Sequence, residues 1–250
     1  MTDLDAPLPR GACPTLDAPM AVADGLLARF RPEDGLSADQ VRGLADAARA
    51  CGNGLIEVTA RGNLQVRGLT DETIEDFRGA LDGARIVAQG LPVIEISPIA
   101  GNDPKARIDP RPLAARLREV CETAKEAAPL SPKLAIVMIT GGQILLDGLK
   151  ADIRLVALSE GWAIELGGET LGAIAAPAVP DAVATILGML QAVGPRARAA
   201  ELHGWEVADR IEGLVPHRHA SVRPASYSVG PLSLADGAPV SYTHLEPTRH

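Results

Sequence analysis

Between Ser37 and Leu81 the apolar residues of this chain change period twice, which constrains the fold more than any other feature. Ser37–Ala50 (SADQVRGLADAARA) reads as a helix. Ser37 stands as N-cap, Gln40 as its capping-box partner, and Val41, Leu44, Ala45 and Ala48 as the buried stripe. Gly52-Asn53-Gly54 stops the helix and turns the chain. Leu55–Thr59 (LIEVT) alternates strictly, Arg61-Gly62-Asn63 is a loop, and Leu64–Arg67 (LQVR) alternates again, so the two runs read as a hairpin. Thr70–Leu81 returns to the helical period, capped by Thr70 or Asp71.

Upstream, residues 1–19 are Pro-rich and irregular, and Ala21–Arg31 (AVADGLLARFR) reads as one strand with Arg29 and Arg31 on one face. The order β-α-β-β-α is the signature of a ferredoxin-like α+β sandwich, expected over residues 16–90. A Pro/Gly-rich joint over 91–110 follows, then a helix at Pro112–Ala127. Strand-like runs come at Leu134–Thr140, Ile144–Leu149 and Ile153–Ser159, with a fourth candidate at Trp162–Leu166. Gly141-Gly142 reads as a hairpin turn, and Asp181–Val193 as a helix ended by Gly194-Pro195. Residues 105–215 therefore read as a separate α/β segment, and the fold class is α+β. Residues 216–239 show no obvious element and are read as the start of a further half. Val240–His250 (VSYTHLEPTRH) back-translates to bases resembling a sequencing-library transposon end and its adaptor. These residues are read as an artefact, and the natural chain is expected to continue.

Composition excludes several functions. Aromatic residues are 2% of the chain, so the core must be aliphatic and stacking platforms for nucleic acid are scarce. A net charge of −8 opposes a phosphate backbone as partner. Cys13, Cys51 and Cys121 are scattered and form no CxxC pair, which excludes a disulfide framework and a zinc site. Three thiols also cannot hold a four-cysteine cluster. The first ten residues lack an apolar signal-peptide core, and apolar runs such as Leu134–Thr140 are too short to span a bilayer. The expected protein is cytoplasmic, with neither nucleic-acid nor membrane partners. Cys13 reads as an ordinary thiol, and His217 and His219 as a solvated pair without a third metal ligand.

Chemistry concentrates in Gly52–Leu69 (GNGLIEVTARGNLQVRGL), which presents Arg61 at a hairpin turn and Arg67 at a strand end. With Arg29 and Arg31 on a neighbouring strand, these guanidiniums could converge on one surface. Convergent arginines suit a ligand bearing several carboxylates, because the planar fork takes each one bidentately. Asn63 and Gln65 would add neutral hydrogen bonds. Spacing alone is equally satisfied by solvated arginines.

The run RGACPTLDAPMAVADGLLARFRPEDGLSADQV, followed by the Gly52–Leu69 stretch, resembles the amino-terminal half-domain of the nitrite/sulfite reductase superfamily. Within it the Arg-Gly-Ala-Cys-Pro opening and the Gly-Asn-Gly are most similar to the precorrin-3B synthase family. SPIAGNDP (97–104), LSPKLAIV (130–137) and LKADIRLVAL (149–158) resemble that family too. The resemblance implies a tetrapyrrole held between two halves beside a 4Fe-4S cluster, with basic residues of the first half gripping the ring carboxylates. Residue by residue it implies substrate contacts at Arg29, Arg31, Arg61, Asn63, Gln65 and Lys133, and Arg67 joins them on its place in the hairpin. Two departures favour a synthase over a siroheme reductase: Ala135 stands where reductases carry a second lysine, and Pro92-Val93 where they carry Arg-Asn.

The activity so implied is oxygen-dependent conversion of precorrin-3A to precorrin-3B in aerobic cobalamin biosynthesis. It is a monooxygenase-type oxidoreduction drawing electrons from a reduced pyridine nucleotide or a redox protein. A siroheme-dependent nitrite or sulfite reductase and a non-catalytic tetrapyrrole-binding module stand as alternatives. No catalytic residue is identified, and the cluster ligands have no counterpart in this chain.

Overall fold

Asp24-Gly25 breaks the first apolar run in two. In the computed structural model, which describes residues 14–33, 35–59, 62–217, 230–237 and 239–242, Met20–Val22 (β1) and Gly25–Phe30 (β2) form an antiparallel hairpin. The single strand expected over 21–31 is thus corrected. Gly25 holds φ 117°, and a Cβ there would lie 2.7 Å from the Leu69 carbonyl oxygen, so the turn requires glycine. The described residues divide into two compact units at Gln89/Gly90.

In the first unit the helix at Ala38–Cys51 (α1) carries the expected capping box between Ser37 and Gln40. Its buried stripe is Leu44, Ala47 and Ala48, with Cys51 packed beside it, whereas Val41 is exposed. The i, i+3, i+4, i+7 spacing is the expected one, started at Leu44 rather than Val41. Ile56–Val58 (β3) and Leu64–Leu69 (β4) pair as the predicted antiparallel hairpin. The next helix, Ile74–Gly83 (α2), begins later than expected because Thr70 and Thr73 exchange side-chain-to-backbone hydrogen bonds in a turn that precedes it.

The sheet order is β1-β2-β4-β3. One face packs Ala28, Phe30, Val66 and Leu69 against Leu44 of α1 and Phe77 and Leu81 of α2. Phe30 and Phe77 meet edge to face with ring centroids 6.4 Å apart, which adds about 1 kcal/mol to their burial. Side chains alternate across a strand, so residues 29, 57, 65 and 67 stand on the opposite face.

The second unit is a five-stranded mixed sheet. Its first strand, Val93–Glu95 (β5), falls inside the stretch expected to be a joint. The helix Arg111–Ala127 (α3) leads to Ala135–Ile139 (β6), Ile153–Ala157 (β7), Trp162–Leu166 (β8) and Glu169–Ile174 (β9). Strands β5, β6 and β7 run parallel, and β7, β8 and β9 antiparallel.

A parallel β6–β7 pair needs a crossover, so Gly141-Gly142 is no hairpin turn and Ile144–Leu149 is no strand. Leu146 and Leu149 instead cover Val137, Ile139, Val156 and Ala163 on one face of the sheet. The other face packs against α3 and the helices Val179–Val193 (α4) and Gly204–Arg210 (α5). Ala176–Val193 is long and apolar enough to cross a membrane, at 18 residues and a mean hydropathy of 1.4, contrary to the sequence reading. Seven residues of α4, Val179 to Leu190, are nonetheless buried in this core. Gly230–Ser233 (β10) and Pro239–Tyr242 (β11) form a hairpin around Asp236-Gly237, so the stretch after residue 216 does contain an element.

Asp152 ties the sheet to the segment after α4. Its carboxylate accepts from Arg198 Nε at 2.9 Å and Nη2 at 2.8 Å, and from the backbone N–H groups of Ala135 and Ala199.

Candidate functional site

The face of the first sheet turned away from its helices is a continuous polar network. Cross-strand register aligns Arg29 of β2, Gln65 of β4 and Glu57 of β3 in one row. Arg29 donates from Nε to Gln65 Oε1 at 2.8 Å, and from Nη2 to the same oxygen. Gln65, nearly buried, donates from Nε2 to Glu57 Oε2 at 3.1 Å. Arg67, two positions along β4, donates from Nε to the same Glu57 oxygen at 2.9 Å and from Nη1 to Asp24 at 3.3 Å. Asn53 donates to the other Asp24 oxygen at 3.0 Å, which ties the β1–β2 turn to the loop after α1.

The predicted residues therefore fall into distinct situations. Arg29 and Gln65 touch. Arg67 is held between two carboxylates, whereas Arg29 is held by a neutral amide and keeps its charge unpaired within this row. Asn63 closes the β3–β4 turn, its backbone N–H donating to Thr59 Oγ1 at 3.1 Å. Arg31 follows β2, and its guanidinium passes beside Gly62 in that turn. Lys133 is exposed in the turn before β6, in the second unit. Arg61, Cys13 and His219 lie outside the described residues.

Sequence reasoning missed Glu57 and Asp24, although Glu57 stands inside the singled-out stretch. It also left the polar residues of SPIAGNDP without a role. Asp103 accepts from Gln143 N at 2.6 Å, Gln143 Nε2 at 3.1 Å and Lys105 N at 3.0 Å, so this loop is bound to the one after β6. A Cβ on Gly142 would run into the Asp103 carboxylate, so any larger residue there would have to displace that side chain from its bonds to Gln143. Arg107 donates to the Ala157 carbonyl at 3.0 Å and, with Ser159, Glu160 and His217, borders an open cleft of about 820 Å³.

A four-iron cluster does not fit the residues present. Among the described residues no three His, Cys, Asp or Glu side chains gather as a metal site. Burial, with Glu122 nearby, pushes the Cys121 thiol up to about 12, the opposite of a thiolate ligand. Burial and then Asp76 also raise Cys51. The carboxylates of a tetrapyrrole, by contrast, suit the charge that Arg29 retains.

Residues 19–84 match the family described as the nitrite/sulfite reductase ferredoxin-like half domain. Over 232 residues the chain is 42% identical to a precorrin-3B synthase from a Sinorhizobium species. That match takes in 88% of this chain and 50% of the relative, so the chain spans about half the relative's length. The structure of the Mycobacterium tuberculosis NirA protein shares the fold, with a TM-score of 0.60, 19% identity, and coverage of 86% of this chain and 46% of that one. The polar row of Arg29, Gln65 and Glu57 lies within the residues that match this family.

Proposed function

We propose that this chain is the amino-terminal, substrate-gripping part of a precorrin-3B synthase. In the complete enzyme it would serve the oxygen-dependent conversion of precorrin-3A to precorrin-3B in the aerobic route to cobalamin, a monooxygenase-type reaction. The observation that carries this reading is the Arg29–Gln65 pair: a guanidinium fixed by a neutral amide on the polar face of a half domain whose relative bears that name. Arg29, Arg31 and Arg61 are assigned to ring carboxylates, Asn63 and Gln65 to neutral contacts, and Lys133 to a contact from the second segment. Arg67, already between Glu57 and Asp24, stiffens this face more than it recruits anions.

The proposed domain limits are a half-sandwich over 16–90 and an α/β segment over 105–215, with a further half beginning after residue 216. The 4Fe-4S cluster and the electron donor belong to the part of the enzyme beyond this chain, since the cysteines here cannot supply four ligands. A soluble, cytoplasmic protein accords with α4 packing into a core.

Titration of the 250-residue chain with uroporphyrin III, followed by absorbance, tests the carboxylate grip. Arg29→Ala should weaken binding about 10- to 100-fold, the loss of about 1.5–3 kcal/mol from a charged hydrogen-bonded contact. Arg29→Lys should restore only part, because lysine lacks the fork. Unchanged binding by Arg29→Ala would overturn this assignment.

A further inference from the structure

Glu57 is the one acidic side chain in the row that contains Arg29, at a place where a polyanionic ligand would meet negative charge. Its contacts resolve that conflict. An amide side chain has one accepting end and one donating end, while a guanidinium only donates and a carboxylate only accepts. Gln65 sits between Arg29 and Glu57, so only one orientation satisfies both neighbours: Oε1 toward Arg29 and Nε2 toward Glu57. Arg29 and Glu57 together fix that orientation, and Glu57 anchors the donating end of the amide.

Glu57 is itself held in place. The oxygen that accepts from Gln65 Nε2 also accepts from Arg67 Nε at 2.9 Å, and Arg67 reaches on to Asp24. The negative charge is therefore paired with Arg67, while Arg29 is oriented through a neutral group that leaves its positive charge for a ligand. A carboxylate at position 65 would instead form a direct ion pair with Arg29 and use up that charge. Because Gln65 takes the Nε/Nη2 edge of the guanidinium, the Nη1/Nη2 edge is the one left to donate to an incoming carboxylate.

We infer that Glu57 is a positioning residue that acts through Gln65 to fix the plane of the Arg29 guanidinium and present its Nη1/Nη2 edge to a ligand carboxylate. This rests on the carboxylate-binding role given to Arg29 above. Without Glu57 the Gln65 Nε2 loses its acceptor and only the bonds from Arg29 hold the amide, so amide and guanidinium can swing together out of this plane.

The test titrates uroporphyrin III into the 250-residue chain and its Glu57→Ala, Glu57→Gln, Arg29→Ala and Arg29→Ala/Glu57→Ala variants. Thermal melts check that each is folded. Glu57→Ala should weaken binding about five- to tenfold, the size of one lost orienting hydrogen bond. Glu57→Gln keeps an acceptor oxygen for Gln65 and Arg67 and should bind within about twofold of the parent. Because Glu57 acts through Arg29, the double variant should bind no more weakly than Arg29→Ala alone, a non-additivity that general loosening of the sheet would not produce.

If Arg29→Ala weakens binding while Glu57→Ala does not, the positioning role is wrong and the carboxylate site stands. Tighter binding by Glu57→Ala, or additive losses in the double variant, would equally overturn the positioning role. If Arg29→Ala binds like the parent, the carboxylate site itself falls.

Discussion

Asp152→Ala should be among the most destabilising single substitutions in the second unit. Asp152 is 4% exposed and accepts from two guanidinium nitrogens and two backbone amides. Alanine would strip the acceptor from the N–H groups of Ala135 and Ala199, both in buried residues, at about 1–3 kcal/mol each. Arg198 is 39% exposed, so water replaces much of its lost partner and that contribution is discounted to about 1 kcal/mol. The total, about 3–7 kcal/mol, brackets the roughly 3–5 kcal/mol cost of breaking one side of a buried ion pair. Asp152→Asn should fall between, since its NH₂ group must face two of the four donors, whichever oxygen it replaces. Arg198→Ala should cost less than Asp152→Ala, because the carboxylate keeps both amides. The assay is urea unfolding followed by tryptophan fluorescence. Trp162, fully buried on β8, reports directly on this sheet. A loss below about 1 kcal/mol at unchanged m would refute the argument that Asp152 satisfies otherwise orphaned donors.

Two further outcomes are expected. Burial holds the Cys121 thiol protonated up to about 12, whereas in the unfolded chain it ionises near 8.5. Its stabilising contribution is thus complete below about pH 8.5 and is lost as pH rises toward 12, by up to about 1.4 kcal/mol per pH unit. Urea midpoints between pH 8 and 10 should therefore decline more steeply for the parent than for Cys121→Ala, and parallel declines would contradict this. Ser37→Ala should cost about 1 kcal/mol by removing one half of the α1 capping box, and Ser37→Asp should not; urea unfolding followed by circular dichroism distinguishes them.

Charge availability on the polar face depends on partners rather than on residue type. Arg29 and Arg67 are the same residue on neighbouring strands, two positions apart in register, yet one is fixed by an amide and the other by two carboxylates. In the sequence both were simply arginines on alternating runs. The difference follows from register, which sets Arg29 opposite Gln65 and brings Glu57 within reach of Arg67. Register across strands is a long-range property; Arg29 and Gln65 are 36 residues apart. Asp103 and Gln143, 40 residues apart, were unreadable for the same reason.

Local physics made the first unit legible. The Ser37–Gln40 capping box, the Gly52-Asn53-Gly54 stop and the two alternating runs each act over a few residues, so α1, β3 and β4 follow from the sequence. The Asp24-Gly25 turn was equally local, and its Asp-Gly dipeptide is the signal that divides β1 from β2. The second unit is different in kind. Ile144–Leu149 has an apolar content that suits a strand as well as a covering segment. Only the parallel pairing of β6 with β7 forces it out of the sheet and over Val137 and Val156. By itself, then, the sequence determined the helices α1 to α4 (though not α5), the hairpin and the family resemblance, because periodicity, caps and turns are written in neighbouring residues. Tertiary structure alone decided strand direction in the second sheet, the Asp152–Arg198 tie, and which arginine keeps its charge. Each of those depends on which distant groups the fold brings within hydrogen-bond reach.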